Sequence, residues 1–160
     1  MFVVLMGVAG SGKTTIGRAL AAELGWKFYD ADDFHPPDNV AKMARGVPLD
    51  DADRLPWLEI LRGLVCAALA RGESAVLACS ALKAHYRAYL LLDERVKLTY
   101  LKGNFDLIQE RLAGRRGHFM SAAMLASQFA ALEEPAREFH LDISATPDEI
   151  VRAIRRRLAV

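Results

Sequence analysis

The chain has 160 residues, 52% of them apolar and 26% charged, enough for the core of one domain and too apolar for extended disorder. Its 21 Lys and Arg against 20 Asp and Glu leave a formal charge of +1, so no global field recruits nucleic acid or an anionic membrane, and any anionic ligand must be held by local cations. Cys66 and Cys79 lack the paired spacing or histidine neighbours of a disulfide framework or a zinc site, which fits a reducing cytoplasm.

Phe2–Met6 is a short apolar run that stops at Gly7, predicting a strand buried on both faces at the centre of a parallel sheet. No basic stretch precedes it, so a signal peptide is not expected and the mature chain is expected to begin at or close to Met1. Ile16, Ala19, Leu20 and Leu24 follow helical spacing over Lys13–Leu24, and Gly25 supplies the stop. Lys27–Asp30 reads as a second strand ending in acidic residues, after which His35-Pro36-Pro37 takes the chain off the sheet, because proline cannot donate to a ladder. A short helix is predicted over residues 40–45, and a longer one, capped by Asp50 or Asp51, to about 71, with Pro56 tolerated only near its first turn. Its apolar stretch at 64–70 is far short of the ~20 residues that cross a bilayer.

The alternation continues with a strand at 74–79, a helix at 84–92, a strand at 97–101, the helix Phe105–Ala113, a helix at 122–132, a strand at 139–143 and the closing helix Pro147–Leu158. Strands separated by helices need right-handed crossovers that cover both sheet faces. The expected fold is therefore α/β, a single three-layer α/β/α sandwich over residues 1–160 with a mainly parallel five-stranded sheet.

Gly7-Val8-Ala9-Gly10-Ser11-Gly12-Lys13-Thr14 satisfies the phosphate-loop pattern in full, between a strand and a helix. The glycines let the backbone curl so that successive N–H groups point inward, and the helix start adds its positive end. Gly7, Ala9, Gly10, Ser11, Gly12, Lys13, Thr14 and Thr15 are the expected nucleotide-binding residues, with Lys13 reaching the β and γ phosphates of ATP and Thr14 ligating Mg²⁺. The chain has no Asn-Lys-x-Asp base-reading motif of a GTPase switch and is short for a motor, which favours a compact small-molecule kinase. Asp30 and Asp32, two apart at the end of the second strand, are expected to point to one side at the carboxyl edge of the sheet. Asp30 would hold Mg²⁺ through water, and Asp32 would orient or deprotonate an acceptor hydroxyl for in-line attack on the γ-phosphate.

His35-Pro36, Lys42-Met43, Gly46-x-Pro48-Leu49, Asp53-Arg54-x-Pro56-Trp57-Leu58, Cys79-Ser80-Ala81-Leu82-Lys83, Tyr86-Arg87, Tyr100-Leu101-Lys102-Gly103 and Gly117-His118-Phe119 resemble the gluconokinase family in order and spacing. Shikimate kinases and nucleoside monophosphate kinases share the phosphate loop but would not be expected to share this set. The resemblance implies ATP-dependent phosphorylation of D-gluconate at its terminal hydroxyl, giving 6-phosphogluconate and ADP. It also implies the nucleoside monophosphate kinase-like fold with a lid, and a homodimer.

A gluconate site needs a cation for the carboxylate and hydrogen-bonding groups for the hydroxyls. Arg54, Lys83 and Arg87 are the candidate cations, the first in an expected substrate-binding segment at 32–58, the others four apart and on one face if helical. His35 is expected either to bond a sugar hydroxyl or to secure its loop, without a change of charge. Arg111, Arg115 and Arg116 cluster at a glycine-flanked loop, about 114–121, expected to act as the lid. Arg115 and Arg116 point in different directions if helical, so one of them would stabilise charge on the transferring phosphoryl group and the other would pair with protein or adenine, Arg111 would serve the nucleotide, and His118 would contact substrate or support the lid.

Trp57, Leu58, Leu61, Val65 and Leu69 belong to the core or a subunit interface, Cys79 packs beside the site, and Arg155-Arg156-Arg157 is a solvated face in the last helical turn. Gln128, Phe129, Leu132 and Glu133 resemble the family as well, with no role assigned.

Overall fold

A strand whose every side chain is apolar is satisfied only by partners on both edges and cover on both faces. In the computed structural model, which describes residues 1–114 and 121–160, that strand, β1 (Phe2–Met6), is buried along its whole length. It lies third in a sheet of order β2-β3-β1-β4-β5. The other strands are β2 (Lys27–Asp30), β3 (Ala75–Cys79), β4 (Val96–Lys102) and β5 (His140–Asp142). Every pairing is parallel, with Phe2 opposite Ala75 and Val96, and Met6 opposite Cys79 and Tyr100.

The period of two along β1 divides the core. Phe2, Val4 and Met6 face α3 (Asp51–Ala70) through Trp57, Leu58, Leu61 and Val65, and α4 (Ala84–Ala88) through Tyr86. Val3 and Leu5 face the other layer, where α1 (Lys13–Leu24) offers Ile16 and Leu20, α5 (Phe105–Ala113) Ile108, α6 (Ala122–Ala131) Leu125 and α7 (Pro147–Leu158) Ile150 and Ile154. The expected sandwich is present, and its sheet is parallel throughout.

Three elements differ locally from the expectation. The helix α2 (Pro37–Ala44) starts at its proline rather than at residue 40, since proline suits a first turn, where its missing N–H has no partner to lose. Pro56 is the sixth residue of α3, further in than expected, and its ring is exposed; it forgoes the bond that residue 56 would donate to the Ala52 carbonyl. The fourth helix stops at Ala88 rather than 92. Asp50 caps α3 reciprocally with Asp53, each accepting a backbone N–H from the other.

The chain departs from β1 toward β2 on one side and reaches β4 on the other. The crevice beyond the carboxyl ends beside β1 is thus a topological switch point, where open α/β sheets take ligands. Its floor depends on α1 lying close to the sheet at Gly17, where a Cβ would stand 2.6 Å from Phe28 Cε2 and 3.3 Å from Leu5 Cδ1. Gly17→Val should therefore lower stability by about 1–3 kcal/mol through overpacking, read as a lower urea midpoint. An unchanged midpoint would mean that α1 can lift from the sheet without loss.

Candidate active site

Gly10 and Gly12 take φ of +78° and +92°, left-handed backbone that an L side chain resists. A Cβ on Gly7 would stand 2.5 Å from the Ser11 hydroxyl. The resulting curl joins β1 to α1, whose first N–H groups have no helical partner and carry the positive end of its dipole. Lys13 folds across the turn, its Nζ donating to the Val8 carbonyl at 2.9 Å.

Ala9, Gly10, Gly12, Lys13 and Thr14 line a cavity of about 630 Å³. The other expected loop residues are elsewhere: Gly7 lies beneath the wall, Ser11 is fully buried with its hydroxyl unpartnered, and Thr15 is exposed on α1. Ser11 and Gly7 thus shape the loop, and their side-chain positions offer nothing to a ligand.

The carboxylates are positioned differently from the expectation. The strand β2 ends at Asp30, and Asp32 belongs to a 3₁₀ turn, Ala31–Phe34, so strand alternation does not bring them together. A capping bond does: Asp30 Oδ1 accepts the Asp32 N–H at 3.1 Å, while its Oδ2 accepts the Thr14 hydroxyl at 2.8 Å. Thr14 and Asp30 therefore form an oxygen-only donor pair at the loop mouth, the donor chemistry that suits Mg²⁺. The Asp32 side chain is 85% exposed and lines the same cavity as Lys13.

A buried platform supports that turn. Trp57 donates its Nε1–H to the Ala31 carbonyl at 2.7 Å, and His35 stacks on Trp57 with centroids 4.4 Å apart and planes 13° from parallel. The His35 Nε2 lies 3.9 Å from Asp32 Oδ1. Burial, with the Arg54 charge nearby, pushes the His35 pKa down to about 4, so the ring is neutral near pH 7. Burial also pushes the Cys79 thiol up to about 12, consistent with packing rather than reactivity. Trp57 is wholly enclosed and belongs to the core, not to an interface.

The three candidate cations separate. Arg54 lines the cavity, its Nε donating to the Leu49 carbonyl at 3.3 Å, and no carboxylate among the described residues pairs with it. Lys83 caps α4, pairs with Asp51 at 2.9 Å, and lies in an adjoining cavity of about 500 Å³ that also includes Tyr86 and Arg54. The Tyr86 hydroxyl donates to the same Asp51 carboxylate, the main cause of its lowered pKa, ahead of Lys83.

The expectation that Arg87 faces the substrate is corrected. It is 8% exposed, lines neither cavity, and its Nη1 donates to the carbonyls of Ala81, Leu82 and Glu133 at 3.1, 3.2 and 2.9 Å. Those bonds brace Ala81, which holds φ of +44° without being glycine. Lys83 and Arg87 do not share a cavity with Asp32, because Lys83 stands before the helix and Arg87 turns into the core. Arg111 likewise is off the cavity wall, its Nη2 donating to the Ile143 carbonyl at 2.5 Å, so α5 is tied to the end of β5 and a direct grip on the nucleotide is not seen. Arg115, Arg116 and His118, and with them most of the expected lid, lie outside the described residues.

Other wall residues are given no individual role by the sequence, although several lie in the expected substrate-binding segment at 32–58 or in the family motifs. Arg45, Pro48 and Leu49 come from the loop after α2, Ser80 from the end of β3, and Met124, Ser127 and Gln128 from α6. Gln128 Oε1 accepts the Ala9 N–H of the phosphate loop at 2.7 Å. Only the unassigned run around 128 carried a signal for it.

A phosphate loop, a Thr–Asp oxygen pair and an exposed carboxylate opening on one cavity define a P-loop phosphotransferase acting on a small acceptor. The shikimate kinase family model matches residues 9–158. A probable gluconokinase of Mus musculus is 47% identical, with 84% of this chain and 83% of that one covered. Among crystal structures, an unliganded sugar kinase from Janibacter sp. HTCC2649 superposes with a TM-score of 0.92 at 41% identity, covering 99% of this chain and 94% of that one. A gluconokinase from Sinorhizobium meliloti 1021 gives 0.88 at 39% identity, covering 98% and 90%. The chain belongs to the gluconokinases.

Two variants test the supports of the site. Below its ordinary pKa of 6.5 the unfolded chain takes up a proton that folded His35 refuses until about pH 4, so stability should fall as pH drops through that window, at about 1.4 kcal/mol per pKa unit of depression. Urea midpoints of His35→Phe, which keeps the stack, should lose this slope between pH 6.5 and 4; an unchanged slope would place the depressed group elsewhere. Arg87→Met should strand buried carbonyls and cost at least about 2 kcal/mol, measured by denaturation, while leaving the acceptor KM near that of the parent. A selective rise in acceptor KM at full stability would return Arg87 to the substrate wall.

Proposed function

We propose that the enzyme transfers the γ-phosphoryl group of ATP to the terminal hydroxyl of D-gluconate between the phosphate loop and Asp32. The observation that carries this reading is a single cavity holding both halves of the chemistry, Lys13 and the loop backbone for the phosphates and the exposed Asp32 carboxylate for the hydroxyl. The new bond forms from the hydroxyl oxygen to the γ-phosphorus as the bond to the β,γ-bridging oxygen breaks. The hydroxyl proton passes to Asp32, and ADP leaves with the bridging oxygen.

Lys13 follows the charge as it moves from the γ to the β phosphate. Thr14 and Asp30 are the residues that would hold Mg²⁺, which supplies charge neutralisation at the β and γ phosphates when bound. Arg54 meets the gluconate carboxylate, since it is a cavity-wall cation without a carboxylate partner among the described residues. His35 secures the Asp32 turn rather than exchanging a proton, in keeping with its depressed pKa. Lys83 serves the far end of the acceptor from the adjoining cavity, already half neutralised by Asp51. One of Arg115 and Arg116 compensates phosphoryl charge from the lid at 114–121 while the other pairs with protein or adenine, and His118 contacts substrate or supports the lid, roles that rest on the family resemblance; Arg111 steadies the α5 end of that lid through the Ile143 carbonyl. A homodimer rests on the same resemblance, and a cytoplasmic setting on the unpaired Cys66 and Cys79; no helix among the described residues is long and apolar enough to cross a membrane.

An ADP-release assay with ATP, Mg²⁺ and a panel of D-gluconate, shikimate and a nucleoside monophosphate tests the assignment. Gluconate should dominate, and a faster rival acceptor would overturn it. In the same assay Asp32→Asn should lower turnover by about 10²–10⁴ while nucleotide affinity, from equilibrium titration, persists. Retained turnover would remove Asp32 from proton transfer.

A further inference from the structure

The phosphate loop spends one of its own backbone donors on a distant side chain. The Ala9 N–H bonds Gln128 Oε1 at 2.7 Å across 119 residues of sequence. Such an N–H is in a position to serve an anion, and its commitment to a carboxamide calls for an explanation.

Gln128 is held from both ends. Its helix α6 starts at the Ser121 cap, where the hydroxyl accepts the Met124 N–H at 3.1 Å, and is seated by Leu125, which is buried, and by Phe129 against Phe105 at 5.5 Å. Just past its end, the Glu133 N–H donates to the Leu82 carbonyl at 2.9 Å, and the Glu133 carboxylate accepts the Ala84 N–H at 2.6 Å. A carboxamide whose oxygen is fixed on a donor cannot flip without losing that bond, so its NH₂ group is aimed the other way. No acceptor among the described residues meets that Nε2, and Gln128 lines both the main cavity and the adjoining one.

We infer that Gln128 is an acceptor-recognition residue: the Ala9 clamp fixes its carboxamide so that the NH₂ edge donates to a hydroxyl of the polyhydroxy acid where the two cavities meet. The inference rests on the gluconate reading above and deepens it. Two features favour the acceptor over the nucleotide as the oxygen that is met. The residues of the phosphate loop line the main cavity alone, whereas Gln128 is shared, and the adjoining cavity that it also lines holds Arg54 and Lys83, the cations assigned to the acceptor. A group that can only donate also sets a selection rule, because an acceptor lacking the matching oxygen leaves two N–H groups unanswered.

The test compares the parent enzyme with Gln128→Met, which removes both halves of the contact, and Gln128→Glu, which keeps an oxygen for Ala9 and loses the donors. Each is assayed with D-gluconate and with its monodeoxy analogues, alongside ATP affinity by equilibrium titration and thermal melting. For both variants kcat/KM with gluconate should fall roughly ten-fold or more. ATP affinity of Gln128→Met should stay within about three-fold of the parent, and one monodeoxy analogue should react equally well with parent and Gln128→Met. A parallel loss of ATP affinity in Gln128→Met, an equal penalty on every analogue, or unchanged gluconate kinetics would each overturn the assignment. Should Gln128→Met fail to fold, Gln128→Leu, which likewise removes both halves of the contact without adding charge, carries the same comparison. A parent enzyme inactive on gluconate would instead defeat the underlying substrate reading.

Discussion

A phosphate chain brings several negative charges to one spot, and a protein of almost no net charge must meet them with dipoles fixed in place. The turn between β1 and α1 does so only because two glycines hold left-handed backbone and a third leaves room for the Ser11 hydroxyl. Most other contacts of the site hold something steady relative to that turn. The β2 end is tied to it by the Thr14–Asp30 hydrogen bond, and α6 by the contact of Gln128 with Ala9. The sheet beneath it is buried and parallel, so the loop has a rigid base whose position is set by β3 and β4.

Around this anchor, cations divide into those on the cavity wall and those that hold the frame. Lys13 and Arg54 line the cavity, whereas Arg87 and Arg111 turn guanidinium groups onto main-chain carbonyls at the ends of strands and turns. The Ala81, Leu82 and Ile143 carbonyls belong to segments leaving the carboxyl edge of the sheet and that of Glu133 to the segment just after α6, where helical and ladder partners have run out. A guanidinium presents several donors in a fixed plane and can collect such orphans from two or three segments at once. The mouth of the site is thereby stiffened by the same residue type that its chemistry requires.

The architecture was legible because its signals are local and redundant. An apolar run, a glycine-rich turn and helical spacing located β1 and α1, while Phe105–Ala113 and Pro147–Leu158 matched to the residue, framed by Asn104 and Thr146 caps. Asp32 lines the cavity of Lys13 for a reason other than the expected strand alternation, since a 3₁₀ turn after a strand leaves no mark in polar alternation. Arg87 was misjudged because four-residue spacing tells which side chains share a helical face, not whether that face looks to solvent or to carbonyls. Gln128 could not be assigned from spacing at all: its partner is a backbone N–H, and a main-chain donor has no identity in a sequence.

The central position of β1 also has a consequence for biosynthesis. It precedes the other strands of the sheet in chain order, yet its edges are completed by segments ending at residues 79 and 102. At ribosomal speeds of about 5–20 residues per second, some 5–20 s pass before the second edge is available. For that interval the apolar β1 stretch has no ladder to join, which gives the growing chain a vulnerability that the finished enzyme does not share.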